Sequence, residues 1–179
     1  MAIDTVREYL KQFGRQQDIM EFSTSSATVE LAAQALNVIP ARIAKTLSFR
    51  VNDACILIVT AGDAKIDNPK YRTQFSCKAK MLSAEEVEPM TGHEIGGVCP
   101  FANPQDVRTF LDVSLQRFDT VFPACGSSKM CIRDSSVALY PASPLQRRDR
   151  AGFAPVFPFI PQFGIPVTQY TVLFHFINT

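Results

Sequence analysis

No stretch of this chain approaches the eighteen or so consecutive apolar residues that span a bilayer, and the N-terminus lacks the long apolar run of a secretory signal. These absences argue against a membrane partner and predict a cytoplasmic protein. Net charge is nearly absent too, with 18 Lys and Arg against 17 Asp and Glu leaving +1 over 179 residues. So small a sum cannot hold a nucleic acid, and any such contact has to come from a local patch. Histidine is scarce: His93 and His175 are the only two, and no Ser-His-Asp triad can be assembled. Cys55, Cys77, Cys99 and Cys125 are spaced by 22, 22 and 26 residues with no C-x-x-C pair. That spacing indicates neither a zinc site nor a disulfide framework, and no metal or other cofactor is expected.

What is present reads as one α/β domain. Asp4 to Arg15 has the pattern of an amphipathic helix presenting Val6, Leu10 and Phe13, and Thr28 to Leu36 that of a second helix behind a Ser25-Ser26 cap. Ala44 to Val51 and Ala54 to Thr60 read as strands joined at Asn52-Asp53 in a hairpin. The run Cys55-Ile56-Leu57-Ile58-Val59 has no polar face, which predicts burial on both sides. Asp67 and Pro69 open a short helix. Ser83 and Glu86 form a capping box for another that ends near Gly92. Thr109 to Val113 and Thr120 to Pro123 read as later strands. Strands interleaved with helices give a mixed α/β domain with no internal repeat or linker before residue 129.

Two features carry chemistry. In Ala44-Lys45-Thr46-Leu47-Ser48-Phe49-Arg50-Val51, period-two alternation puts Lys45 on the side of Leu47, Phe49 and Val51. An ammonium there must be paired or used, although this segment alone fits a lysine snorkelling to solvent. In Gly96-Gly97-Val98-Cys99-Pro100, two glycines bring backbone N–H groups close to a ligand and Pro100 fixes the chain direction after them. Such a loop can clamp an oxyanion or carbonyl, and it can also be a plain turn.

In this order, these motifs resemble the YbaK and prolyl-tRNA synthetase editing-domain family of aminoacyl-tRNA deacylases. The matching stretches are Thr28-Val29-Glu30-Leu31-Ala32-Ala33, Ile43-Ala44-Lys45-Thr46-Leu47, Thr60-Ala61-Gly62-Asp63, Met81-Leu82-Ser83-Ala84-Glu85-Glu86-Val87, Thr91-Gly92-His93 with the glycine loop, and Phe122-Pro123-Ala124-Cys125-Gly126-Ser127. The resemblance implies a curved mixed sheet surrounded by helices and a trans-editing hydrolase for the ester of mischarged tRNA. It implies catalytic roles for Lys45 and for Gly96 or Gly97, with Thr46 and Pro100 shaping the substrate pocket, while the tRNA's own terminal ribose hydroxyl assists water. The implied partners are the acceptor end of mischarged tRNA and an aminoacyl-tRNA synthetase. Lys65, Lys70, Arg72, Lys78 and Lys80, relieved only by Asp67, form the densest basic patch for acceptor-stem phosphates. The family's acidic residue on a late strand has no assignable counterpart up to Ser128.

The resemblance covers residues 1–128 and stops at Lys129-Met130-Cys131-Ile132-Arg133-Asp134-Ser135. This heptapeptide back-translates to a sequence like the transposase mosaic end of sequencing libraries. Residues 129–179 also hold six of the twelve prolines, six of the fourteen phenylalanines and no Glu. The expectation is a non-native or disordered tail, with the family's C-terminal strand and helix missing and the sheet edge near Phe122 to Gly126 left partly open. A Pro-rich partner-binding tail is the alternative. The tail carries +3, which leaves −2 for residues 1–128. Two other functions stay open: a non-catalytic module that binds an aminoacyl end or amino acid, and a hydrolase with Cys99 or Cys125 as nucleophile and His93 as base.

Overall fold

The computed structural model describes residues 2–135; the expectations placed on 136–179, including His175 and the phenylalanines and prolines of the tail, lie outside the described residues. Seven strands and four α-helices make up that part: α1 (Ala2–Lys11), β1 (Ile19–Glu21), α2 (Val29–Leu36), β2 (Ile43–Val51), β3 (Ala54–Ala61), α3 (Asn68–Phe75), α4 (Ala84–Thr91), β4 (Arg108–Leu111), β5 (Thr120–Pro123), β6 (Met130–Ile132) and β7 (Asp134–Ser135). The main sheet runs β4-β3-β2-β5-β7, and β1 pairs with β6 in a second, two-stranded one. β2 and β3 are antiparallel, while β2 with β5 and β3 with β4 are parallel. This is the curled mixed sheet with flanking helices that the sequence led us to expect.

Local chemistry explains most of the elements. Val51 pairs with Ala54 across Asn52-Asp53, and Asn52 takes the φ of +55° that a two-residue hairpin asks of its first turn residue. β3 is buried on both faces: Ile56 and Ile58 pack with Phe49, Tyr71 and Phe110, and Cys55 and Leu57 with Leu82, Val87 and Val107. The Asp67 side chain accepts from the Lys70 N–H at 2.9 Å at the head of α3. Ser83 and Glu86 form the capping box of α4, which ends on the left-handed Gly92.

Three expectations are corrected. The cap of α2 is Thr28, whose hydroxyl accepts from the Leu31 N–H at 3.2 Å. Ser26 is engaged elsewhere, donating its N–H at 2.6 Å and its Oγ at 3.1 Å to the Ser128 carbonyl. The first helix ends at Lys11, so Phe13 lies past it and is 38% exposed. The packed chain also does not stop at Ser128. Met130, Cys131 and Ile132 are all buried, Met130 and Ile132 against Val6, Leu10 and Phe101, and Cys131 against Ala33, Ile43 and Phe122. β7 covers the edge of β5 through Thr120 with Ser135 and Val121 with Asp134, and Ala124 bridges to Cys131. A strand of three apolar residues is too short to show a period, and here both of its faces are buried.

Ile132→Ala is expected to cost about 2–5 kcal/mol, the usual range for truncating a buried aliphatic side chain. A chain cut after Ser128 should melt at a lower temperature than one cut after Ser135. Equal melting curves by circular dichroism would show that β6 and β7 contribute nothing to the fold.

Candidate functional site

A cavity of about 550 Å3 opens over β2. Its floor is Ile43 to Ser48; one wall is the entry to α2 from Ser26 to Val29, and the other is Met81, Leu82, Ala84 and Val87 around the start of α4. The glycine loop closes it with Ile95, Gly96 and Val98, and Phe122, Ala124 and Cys131 complete the lining. The surface is mostly apolar, and none of the lining residues is Asp, Glu or His.

Lys45 stands half-buried in this floor. Its Nζ donates to the Gly62 carbonyl at 3.0 Å and to the Ala64 carbonyl, tying β2 to the turn that follows β3. An ammonium has three protons to donate, and one has no partner among the described residues. Burial pulls the Lys45 pKa below its ordinary value, against the opposing pull of Asp63 and Glu30. Asp63 itself is held by both arms of the Arg117 guanidinium, which lowers its own pKa. Thr46 lines the cavity next to Lys45, and its Oγ1 is shielded from solvent with no hydrogen-bond partner among the described residues.

The glycines divide the loop's work. Gly97 donates its N–H to the Glu94 carbonyl at 3.0 Å, closing a turn in which Gly96 takes φ +82°. A Cβ on Gly97 would lie 2.7 Å from the Ser127 nitrogen and 2.8 Å from the Gly126 carbonyl carbon, so the loop lies directly on that backbone. Gly96 lines the cavity and Gly97 does not, and the Gly96 N–H has no hydrogen-bond partner among the described residues. Pro100 is buried behind the wall, outside the lining.

Cys99 and His93 do converge, with Sγ 3.7 Å from Nε2. They are 0% and 1% exposed and lie outside the cavity lining. Burial pushes the Cys99 thiol up to about 12, and it likewise pulls the His93 pKa down. The His93 Nε2 lies 3.1 Å from both the Phe101 carbonyl and the Asn103 Oδ1, so the ring pins the segment after the loop. Burial raises the Cys125 thiol as well. Both side chains are closed to solvent and lie away from the cavity, which fits a structural pair better than a nucleophile and its base.

Of the basic patch, Lys65 is exposed after β3, Lys70 and Arg72 lie on α3, and Lys78 and Lys80 are exposed in the segment leading to α4. None of the five lines the cavity; Lys65 lowers the Lys45 pKa through its charge, and Lys80 precedes Met81 of the wall in sequence. Asp134, on β7, is buried outside the cavity 3.6 Å from Arg15. Sequence reasoning missed the walls at Ser26 to Val29, Met81, Ile95, Phe122 and Ala124. The one available signal was Ile95, a large apolar residue in a turn. Among the described residues no helix is long and apolar enough to cross a membrane, and no group of three or more His, Cys, Asp or Glu side chains is placed to hold a metal.

The chain belongs to the aminoacyl-tRNA editing domain family, whose profile matches residues 24–139. It is 56% identical over 142 residues to the uncharacterized protein YwhH of Bacillus subtilis, spanning 79% of this chain and 87% of that one. It is 26% identical over 115 residues to the proline--tRNA ligase of Bacillus licheniformis, covering 63% of this chain and about a fifth of that enzyme's length, 20%. Among solved structures it is similar to a candidate trans-editing enzyme for prolyl tRNA synthetase, with a TM-score of 0.68 at 26% identity over 75% of this chain and 86% of that one. These similarities support an aminoacyl-tRNA deacylase role.

Two outcomes follow from the buried Cys99–His93 pair. Cys99 and Cys125 should resist a thiol reagent near neutral pH in the folded protein and react in denaturant; rapid native labelling at Cys99, followed by peptide mass spectrometry, would contradict the burial. Because the folded His93 pKa is lowered, the unfolded chain binds a proton first as pH falls below about 6.5. Stability should therefore be full above that pH and decline as it falls toward the folded value. His93→Asn should flatten this part of the stability profile measured by urea unfolding.

Proposed function

We propose that this domain hydrolyses the ester of mischarged tRNA, working in trans on aminoacyl ends that a synthetase has loaded wrongly. The observation that supports this reading is that Lys45, Thr46 and Gly96 all line one mostly apolar cavity in a chain of the editing-domain family. The amino acid side chain enters the apolar part. The Gly96 N–H and the free proton of Lys45 hold the ester carbonyl and the negative charge that develops on it.

Water attacks the carbonyl carbon, the bond from that carbon to the ribose oxygen breaks, and the proton lost by the water ends on the ribose oxygen. Free amino acid and uncharged tRNA leave. No Asp, Glu or His lines the cavity among the described residues, and the neighbouring hydroxyl of the terminal ribose orients the water. An aminoacyl ester is already activated, so positioning and electrostatics supply the acceleration. Lys65, Lys70, Arg72, Lys78 and Lys80 attract the acceptor stem locally. The similarity to proline--tRNA ligases makes mischarged proline tRNA the first substrate to test. The missing wall base also supports a second reading, a module that binds the aminoacyl end without turnover.

A deacylation assay over a panel of mischarged tRNAs separates the two, since a binding module would retain tRNA and release no amino acid. Lys45→Ala is expected to lower kcat/KM on the best substrate by about 100-fold or more. It should cost only about 1–3 kcal/mol of stability through the two lost carbonyl contacts. Turnover at the wild-type rate in this variant would remove Lys45 from the mechanism. Gly97→Val should also abolish activity, with a loss of stability that Cys99→Ser does not share, because the added side chain strikes the Gly126–Ser127 backbone.

A further inference from the structure

Five large apolar side chains stay exposed among the described residues, and two of them, Met81 at 55% and Ile95 at 62%, belong to the lining of this cavity and so stand at its rim. Single exposed apolar residues need no explanation. Two on the same rim, each on a pinned backbone, do. The Met81 segment extends the sheet: Met81 bridges to Phe49, the Leu82 N–H donates to the Ser48 carbonyl at 3.1 Å, and the Arg50 N–H donates to the Lys80 carbonyl at 2.9 Å. Ile95 occupies the second position of the Glu94–Gly97 turn, a corner fixed by the φ of +82° at Gly96 and by the Ser128 N–H donating to the Glu94 carboxylate at 3.4 Å. The eight-residue α4 lies between the two in sequence, and the cavity brings both into one lining. Lys80, exposed and next to Met81, puts a positive charge at the Met81 end.

An ester carbonyl seated between Lys45 and Gly96 points its ribose oxygen out of the cavity, so the base on that ribose must lie at the rim. A nucleobase offers a flat, largely apolar face with a phosphate on its 5′ side. An unbranched, polarisable methionine suits such a face, and a lysine beside it suits the phosphate. We infer that Met81 and Ile95 form an apolar lip that takes the face of the tRNA's 3′-terminal nucleobase, with Lys80 on the phosphate preceding it. This rests on the deacylase reading above and assigns that site its nucleoside subsite.

The test is binding of stable analogues to the full chain, measured by calorimetry. The first probe is an aminoacyl group amide-linked to the 3′ position of 3′-deoxyadenosine 5′-phosphate; the second lacks the base, and the third lacks the phosphate. Met81→Ser and Ile95→Ser should each weaken the first and third probes about five- to tenfold, the scale of one stacked base, and weaken the abasic probe by a clearly smaller factor. Met81→Leu should retain wild-type affinity. Lys80→Ala should weaken only the two phosphorylated probes. The lip is overturned if both serine variants bind the first probe as wild type does, as they would were this surface a docking site for a protein. It is overturned equally if they weaken the abasic probe by the same factor, or if the wild type does not distinguish base from no base. Failure of the deacylase reading is seen separately, as wild-type protein that binds these analogues and turns over no mischarged tRNA.

Discussion

The loop that closes the cavity depends on one close approach. Gly97 lies so near the Gly126–Ser127 backbone that any side chain there would overlap it, with a Cβ only 2.7 Å from the Ser127 nitrogen. That contact fixes the height of the loop over β2 and so the distance from Gly96 to the strand lysine. The same segment is held from the other side, where Ser26 gives both its N–H and its hydroxyl to the Ser128 carbonyl. Three parts of the chain far apart in sequence, around residues 26, 97 and 127, therefore meet through backbone rather than through bulky side chains. Close backbone contact leaves little room for rearrangement, which is what a site acting by position requires.

Lys45 joins this arrangement to the sheet. Its ammonium is costly to bury, and the cost is offset by two carbonyls of the turn after β3. The lysine is thus part of the fold and part of the cavity at once. This dual role explains why a charge sits on the side of the strand that otherwise carries Leu47, Phe49 and Val51. The neighbouring Thr46 also lines the cavity, and its hydroxyl has no hydrogen-bond partner among the described residues.

What could be read in the sequence was local. The hairpin at Asn52-Asp53, the doubly buried β3, the caps at Asp67 and Ser83, and the β5 span from Thr120 to Pro123 each rest on residues within a few positions of one another, and each appears as expected. Lys45 and the glycine loop stood out because a charge in a strand and paired glycines break local rules. What escaped depends on distant partners. Ser26 looks like a helix cap until Ser128 claims it. Met130 to Ile132 shows no period because both faces are covered. Cys99 and His93 could be named as a pair, yet only the fold shows them sealed from solvent and from the cavity. Gly96 and Gly97 looked alike in sequence, yet Gly97 donates to the Glu94 carbonyl and lies outside the cavity lining, while Gly96 is part of it.

In the proposed complex the ester carbonyl sits between Lys45 and Gly96 on the floor of this cavity. Backbone amide chemical-shift mapping on the full chain with a stable amide analogue of an aminoacyl-adenosine tests this placement. The largest shifts are expected at Gly96 and at Lys45 to Thr46, smaller ones along Ser26 to Val29, and little change at His93 and Cys99. Shifts centred on His93 and Cys99, with Gly96 and Lys45 unmoved, would contradict it.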